Sequence, residues 1–117
     1  MTAAPSTTHH ASSTEAVDYE PFLVGGEPIG EVHWIRNGGA EGTTLAVGLW
    51  RSEPRRFPYP FTADETIHAL DGVVDIELAD GSVVTLKAGD IASFVKGTES
   101  TWTVREPFRK LFVVSGR

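Results

Sequence analysis

Short segments of alternating hydrophobic and polar residues run through the chain from Glu31 onward, with glycines between them and no sustained helical period. In VVDIEL, Val74 and Ile76 share one face of a strand while Asp75 and Glu77 share the other. The segments of strand length are EVHWIR (31–36), TTLAVGLW (43–50), DETIHAL (64–70), VVDIEL (73–78), SVVTLK (82–87), IASFV (91–95), STWTVR (100–105) and RKLFVV (109–114). The pattern predicts a nearly all-β domain.

Two Asp-Gly pairs, Asp71-Gly72 and Asp80-Gly81, each separate two of these segments and predict tight hairpin turns. So many short strands suit a sandwich or a closed barrel, because closure removes exposed strand edges. The expected fold is a small double-stranded β-helix, or jelly-roll barrel, over residues 19–117. Residues 1–18 are rich in Ala, Ser and Thr without a basic or apolar stretch, which predicts a disordered tail and no signal peptide.

The stretch FPYPFTADE places aromatic side chains at every second position ahead of a single acid. Strand alternation puts Phe57, Tyr59 and Phe61 on one face, and the same parity reaches Glu65. Two interpretations stay open from this stretch alone. Either Glu65 faces the aromatic row inside the domain, or it ends a surface strand with its carboxylate in water.

Composition narrows the classes of protein. A chain of 117 residues makes one domain, and no apolar run approaches the roughly 18 residues that a membrane span needs. A net charge of -6 argues against nucleic acid and anionic membranes as partners, so a small molecule is the expected ligand. The absence of cysteine excludes disulfides, thiolate metal sites and cysteine nucleophiles, and the cytoplasm is the expected compartment.

The spacing of acids and glycines resembles the two sequence motifs of the cupins. Glu65 and Gly72 stand as in the second half of the first motif, and Gly89, Asp90 and Gly97 match the glycine frame of the second. More narrowly, GLWRSEPRRF, DETIHALDG, AGDIASFVKGTESTW and REPFRKLFVV resemble single-domain cupins of the ureidoglycine aminohydrolase and ethanolamine-utilisation protein Q type. The resemblance implies a cupin barrel and leaves the reaction open.

The resemblance also shows where this chain departs from metal-binding cupins, which carry an H-x-H pair before the motif glutamate and a further histidine in the second motif. Tyr59 and Phe61 stand at the H-x-H positions, and Ser100 stands at the last histidine position. Glu65 alone remains, and one carboxylate does not hold Mn, Fe, Ni or Zn in a defined geometry. We therefore expect no metal and no cofactor, with Glu65 facing the lumen at the former metal position.

Lys110 has two possible orientations. Its ammonium either points outward into solvent, or, as the resemblance favours, points inward and pairs with Glu65 so that neither charge is buried alone. The expected catalytic residues are Glu65 and Lys110, and the expected ligand-binding residues are Trp50, Tyr59, Phe61, Ser100 and Trp102. Trp50 and Trp102 serve equally well as core residues, whereas Phe94 and Phe112 are expected in the core.

Two histidines have weaker claims. Strand parity sends His68 to the face opposite Glu65, where it suits the surface or a subunit interface. His33 and Trp34 alternate, so either is placed to line the mouth of a pocket. A role for His33 in catalysis is the less favoured alternative.

The leading functional hypothesis is a metal-independent cupin that binds a small polar metabolite in its barrel. Glu65 would serve as a general base for hydrolysis, isomerisation or proton transfer. One alternative is a sensor or accessory protein that binds the same kind of ligand without turnover. Another is a metal-dependent enzyme of the ureidoglycine aminohydrolase kind. Small cupins of this kind are commonly dimers, so a homodimer is expected, with Thr66, His68 and the segment DYEPFLV at the interface.

Overall fold

A computed structural model describes residues 8–116 of the chain. Its strands are β1 (Glu20–Val24), β2 (Glu27–Asn37), β3 (Leu45–Ser52), β4 (Arg55–Pro58), β5 (Asp64–Leu78), β6 (Val83–Lys87), β7 (Ile91–Phe94) and β8 (Ser100–Ser115). Within this part of the chain, the one helical element is a 3₁₀ turn at Ala40–Gly42. None of the helical structure in residues 8–116 has the length and apolarity that crossing a membrane requires.

The strands form a jelly roll, because β5 and β8 are long enough to take part in two layers. The last part of β8 pairs with β3 and with the first part of β5, and β1, β2 and β7 extend this layer at its two sides. The first part of β8 pairs with β4 and with the last part of β5, which in turn pairs with β6. The predicted all-β cupin barrel is confirmed, and all strand pairs are antiparallel.

One of the two predicted hairpins is present. The chain turns at Asp80-Gly81, where the Leu78 amide donates to the Ser82 carbonyl oxygen at 2.8 Å and β5 leads into β6. The hairpin predicted at Asp71-Gly72 is wrong, because β5 continues through this pair with shifts of register against β8. Gly72 has a φ of +80°, and a Cβ there would overlap the Pro107 carbonyl oxygen. Its glycine therefore permits a bulge and a close approach between two long strands.

The same bulged region joins segments that the sequence pattern separated. STWTVR and RKLFVV belong to one strand, β8, and DETIHAL and VVDIEL belong to one strand, β5.

Near the N-terminus, Gly25 and Gly26 connect β1 to β2 in a hairpin that begins before Glu31. Within the segment DYEPFLV, Glu20–Val24 forms β1 and pairs with β2, and the place of this segment at a subunit interface stays a prediction.

The core fills the space between the layers and is rich in aromatic rings. Trp102 packs edge-on against Trp50 at 5.8 Å between ring centroids, which joins β8 to β3 across the barrel. Phe94 and Phe112 are buried, as predicted. The remaining buried hydrophobic residues of the main cluster are Ile29, Val32, Phe57, Phe61, Ile67, Ala69, Val74, Ile76, Leu86, Val104 and Phe108. This packing leaves a cavity at one end of the barrel.

Candidate functional site

The cavity has a volume of about 390 Å³ and lies between the two layers. Its open end is formed by Asn37, the exposed last residue of β2, and by Gly38 and Thr43 on the connection that leads to β3. Its closed end holds two buried ionisable groups, Glu65 on β5 and Lys110 on β8. The walls between them are mainly apolar: Phe22, Val24, Ile29, Trp34, Leu45, Ala46, Trp50, Phe57, Trp102, Phe112 and Val114. Such a shape suits a small molecule with one polar end in the barrel.

Glu65 and Lys110 form a buried ion pair. Glu65 faces inward, as the cupin resemblance predicted, and the Lys110 side chain also points inward, which is the orientation that the resemblance favoured. The Lys110 Nζ atom donates to Glu65 Oε2 at 2.6 Å, and the two residues are 4% and 2% exposed. Because an unpaired charge at this depth is costly, each residue supplies the partner that the other needs.

Tyr59 completes the polar group at the closed end. Its hydroxyl donates to Glu65 Oε1 at 2.7 Å, so each carboxylate oxygen of Glu65 accepts one hydrogen bond. Burial, followed by the negative charge of Glu65, raises the pKa of Tyr59 well above its ordinary value. The phenol therefore stays protonated at neutral pH and remains a hydrogen-bond donor.

The ammonium of Lys110 lies among aromatic rings. Nζ is 4.7 Å from the ring centroid of Trp102, 5.2 Å from that of Trp50, 5.4 Å from that of Phe112 and 5.7 Å from that of Tyr59. These distances are those of cation–π contacts, which stabilise a desolvated cation. Among residues 8–116, Glu65 is the only hydrogen-bond acceptor in reach of Nζ, and an ammonium carries three N–H groups. Lys110 therefore retains donor capacity on the cavity side.

Two residues of the expected ligand-binding set lie behind the cavity wall. Phe61 is buried and stacks on Phe94, with 4.6 Å between ring centroids. The Ser100 hydroxyl donates to the Tyr59 carbonyl oxygen at 2.6 Å and accepts from the Trp102 indole N–H at 3.1 Å. Of the expected residues, Glu65, Lys110, Trp50, Tyr59 and Trp102 line the cavity, whereas Phe61 and Ser100 do not.

The two histidines lie outside the cavity. His68 faces away from Glu65, as strand parity predicted, and is paired in register with Ile91 of β7. Of the adjacent pair, Trp34 lines the cavity and His33 faces the other side of the sheet. There the His33 Nδ1–H donates to the Asp18 carbonyl oxygen at 3.0 Å, and Nε2 shares a hydrogen bond of 2.6 Å with the Ser12 hydroxyl.

These contacts fall in the segment for which the sequence predicts disorder. Within its described part, Arg109 also donates to the Thr14 carbonyl oxygen. Residues 1–7 lie outside the described part of the chain, and the disorder of residues 1–18 stays a prediction.

Sequence reasoning did not find the β1 contribution to the site. Phe22 and Val24 line the cavity, although the alternating pattern predicts strands only from Glu31 onward. The signal was present in the apolar run PFLV ahead of Gly25-Gly26, which marks a strand and a turn. Phe112, expected only in the core, also reaches the cavity wall.

The residues at the closed end do not fit the metal that many cupins hold. Among residues 8–116, no three side chains of His, Cys, Asp or Glu converge on one point. Both oxygens of the one carboxylate already accept hydrogen bonds, and a cation, the Lys110 ammonium, lies beside it. A divalent ion would find one ligand and a repelling charge. Metal independence stays a prediction, which elemental analysis of the purified protein checks.

The fold and the site define a single-domain cupin with an all-β jelly roll and a cavity of about 390 Å³ between its layers. Residues 39–112 match the EutQ-like cupin domain, which covers more than half of the chain, and the chain belongs to this family. The sequence resembled cupins of two types, ureidoglycine aminohydrolase and ethanolamine-utilisation protein Q. The ureidoglycine aminohydrolase type is not specifically supported. No curated protein is significantly similar to the chain.

Solved structures agree with this assignment. A DUF861 family protein from Thermotoga maritima is 33% identical with a TM-score of 0.53, and the match covers 55% of this chain and 73% of that one. The EutQ protein of Clostridium difficile is 24% identical with a TM-score of 0.67, over 85% of this chain and 80% of that one. KdgF from Halomonas sp. is 16% identical with a TM-score of 0.68, over 94% and 95%. The last two similarities concern the fold alone.

Proposed function

We propose that the protein binds a small, carbonyl-bearing polar metabolite in the barrel and transfers a proton on it, with Glu65 as the general base. The observation that carries this proposal is the Glu65–Lys110 pair, buried at the closed end of a cavity of about 390 Å³. Ion pairs in tightly packed interiors serve stability only weakly. A pair that borders an open cavity is placed to meet a ligand.

The charges at the site favour a ligand that accepts hydrogen bonds. Lys110 has N–H groups beyond the one that Glu65 accepts, and they are available to a carbonyl or carboxylate oxygen. A cationic ligand is disfavoured, because the ammonium already lies within 6 Å of the rings that would hold it. The apolar walls suit a short carbon skeleton, and Asn37 and Thr43 at the open end suit a second polar group.

The same groups have distinct roles in a proton transfer. When a carbonyl oxygen of the ligand accepts a hydrogen bond from Lys110, the C–H group next to that carbonyl becomes more acidic, because the ammonium stabilises the developing oxyanion. Glu65 lies beside Lys110 and accepts the proton. Tyr59 holds the carboxylate in place through its hydrogen bond to Oε1. Delivery of the proton to another atom of the ligand gives isomerisation, whereas delivery of an activated water to the carbonyl gives hydrolysis.

A second candidate is a binding protein without turnover. Both oxygens of Glu65 accept hydrogen bonds from side chains of the chain itself, which lowers their availability as a base. In this alternative the cavity recognises the same acceptor-bearing ligand through Lys110, and Glu65 only keeps the ammonium in place.

Exchange of ligand protons with D₂O separates the two candidates. The protein is incubated with a panel of small 2-oxo acids, amides and ureides, and proton NMR follows the signal next to each carbonyl. We expect loss of that signal for at least one compound with the native protein and not with Glu65→Gln, assayed at a temperature where circular dichroism shows the variant folded. Binding is measured in parallel by tryptophan fluorescence, because all 3 tryptophans of the chain line the cavity. Binding without exchange favours the binding protein, and no binding at all contradicts both candidates.

A further inference from the structure

We propose that Lys110 captures its ligand covalently, as a Schiff base between Nζ and an aldehyde or ketone carbon. This inference rests on the proposed function, since it requires that a carbonyl compound enters the cavity. It extends that function by assigning a nucleophile, which the sequence did not reveal. The ligand class it implies is a small oxo compound with a reactive aldehyde or keto group.

The position of Lys110 meets the first requirement, a lysine amine that can lose its proton inside the site. Desolvated lysines in apolar pockets are the usual amine nucleophiles of proteins. Lys110 is 4% exposed, lines the cavity and lies 2.6 Å from a carboxylate oxygen that can take the proton. The proton then moves within one hydrogen bond and needs no water.

The atoms of the reaction balance with these residues alone. Glu65 takes one proton from the ammonium, and the neutral amine forms a C–N bond to the carbonyl carbon. The carbonyl oxygen becomes a hydroxyl by taking a second proton from Nζ. Glu65 returns its proton to that hydroxyl, the C–O bond breaks and water leaves. The product is a protonated imine on Lys110 beside an ionised Glu65, and addition of water reverses the sequence.

The surroundings of Nζ suit the imine as well as the amine. A protonated imine keeps the positive charge at Nζ, so the contacts to Trp102 and Trp50 and the attraction to Glu65 persist after the reaction. The cavity, whose walls include Trp34 and Phe112, has room for the new carbon skeleton beyond Nζ. No buried charge is created or lost in the overall step.

The chain contains its own controls for selectivity. Its other lysines, Lys87 and Lys96, are exposed and have no such cavity. They report how an ordinary lysine reacts with the same aldehyde in the same tube. A reaction that depends on the cavity therefore appears as a ratio of labelling between sites, which does not require a variant protein to fold.

The test is reductive trapping of the native chain with propanal, and separately with pyruvate, in the presence of cyanoborohydride. Peptide mass spectrometry then measures the reduced adduct at each lysine over time. We expect at least one of the two compounds to label Lys110 about tenfold faster than Lys87 and Lys96. Lys110→Arg keeps the charge and is expected to abolish the adduct, and Glu65→Gln is expected to slow labelling of Lys110 without changing the two exposed lysines.

Tryptophan fluorescence in the absence of cyanoborohydride separates the possible failures. If either compound binds in the cavity and Lys110 is labelled no faster than the exposed lysines, the imine is contradicted and the proposed function stands. If neither compound binds and neither labels Lys110, the imine with a small oxo compound is contradicted, and the proposed function is decided separately by the wider panel of 2-oxo acids, amides and ureides. Selective labelling that persists equally in Glu65→Gln overturns the assignment of Glu65 as the group that takes the proton.

Discussion

The ammonium of Lys110 lies at the closed end of the cavity, and its stability there depends on one carboxylate. The contact with Glu65 is 2.6 Å long and both side chains are almost fully buried. Strand alternation placed Glu65 on the face of the aromatic row but left open whether that face was buried, and the cupin resemblance was needed to predict the inward direction. Alternation was not sufficient for Lys110 either, because a long stem with a charged head suits either face of a strand until the partner charge is located.

Removing one member of this pair leaves a buried charge without a partner. We expect Glu65→Gln to lower the free energy of unfolding by about 3–5 kcal/mol, since Gln cannot balance the ammonium. Lys110→Met in the same chain should restore most of the loss, because two neutral side chains of similar size then fill the site. Urea unfolding of the single and double variants measures the coupling, and strictly additive losses would contradict the pairing.

The phenol of Tyr59 allows a direct test of the electrostatics around Glu65. Its folded-state pKa is raised above the ordinary value of 10.0 by burial and by the Glu65 charge. The stabilising contribution of the neutral phenol is therefore complete below pH 10 and is lost as the pH rises toward the folded-state pKa. We expect Tyr59→Phe to reduce the loss of stability at alkaline pH.

Near-ultraviolet absorbance follows the ionisation itself. The chain has 2 tyrosines, so a Tyr19→Phe variant reports on Tyr59 alone. The folded variant should show no tyrosinate at a pH where the urea-unfolded variant is half ionised. Equal titration curves for the folded and unfolded protein would contradict the buried hydrogen bond to Glu65.

Strands β5 and β8 carry the site because each bends without ending. Gly72 lies in the bulged part of β5, where the backbone of Pro107 in β8 comes close. This arrangement places Glu65 before the bulge in one layer, while the rest of β5 completes the other layer. The positive φ of Gly72 and its close approach to Pro107 therefore allow β5 to run without a break from one layer into the other.

A matched pair of glycine variants tests this role. Gly72 and Gly81 have φ angles of +80° and +89°, so alanine is strained at both, by about 1–2 kcal/mol. A Cβ at Gly81 meets nothing within 4 Å, whereas at Gly72 it overlaps the Pro107 backbone. We expect Gly72→Ala to cost about 1–3 kcal/mol more than Gly81→Ala, because of overpacking. Thermal unfolding compares them, and equal losses would mean that the close approach is relaxed.

The same glycine explains how far the sequence could predict the fold. Alternation located most of the strands and their inward faces, since burial on one side gives a period that is visible in sequence. It did not separate a bulge at Asp71-Gly72 from a turn at Asp80-Gly81, because both need a positive φ and both attract Asp-Gly. The difference lies in the contact with Pro107, which is far away in sequence. Likewise, the burial of Ser100 and Phe61 behind the cavity wall depends on packing that no local pattern encodes.

The outer face of the domain leaves apolar side chains beside the strand that holds Glu65. Ile91 and Val95 are 69% and 70% exposed, and Ile91 pairs in register with His68. Thr66 lies on the same face, where its hydroxyl is 3.0 Å from that of Ser93. Burial of this face against a second copy would remove the exposed area from water.

We therefore expect the whole molecule to be a homodimer through the outer face of β5 and β7. Ile91→Glu should shift the protein toward monomer, while Val83→Glu, a substitution of another exposed residue on β6, should not. Light scattering at micromolar concentration measures both. A native protein that is already monomeric there, or equal effects of the two variants, would contradict this interface.

The most direct measurement is a crystal structure of the protein after co-crystallisation with the compounds that change its tryptophan fluorescence. We expect density for the compound in the cavity beside Glu65 and Lys110. Either an oxygen of the compound accepts a hydrogen bond from Lys110 Nζ, or a carbon of the compound is bonded to Nζ. The walls of Trp50 and Trp102 should enclose the rest of the molecule. A compound bound elsewhere, with the Glu65–Lys110 contact unchanged and the cavity filled only by water, would contradict the assignment of this pair as the functional site.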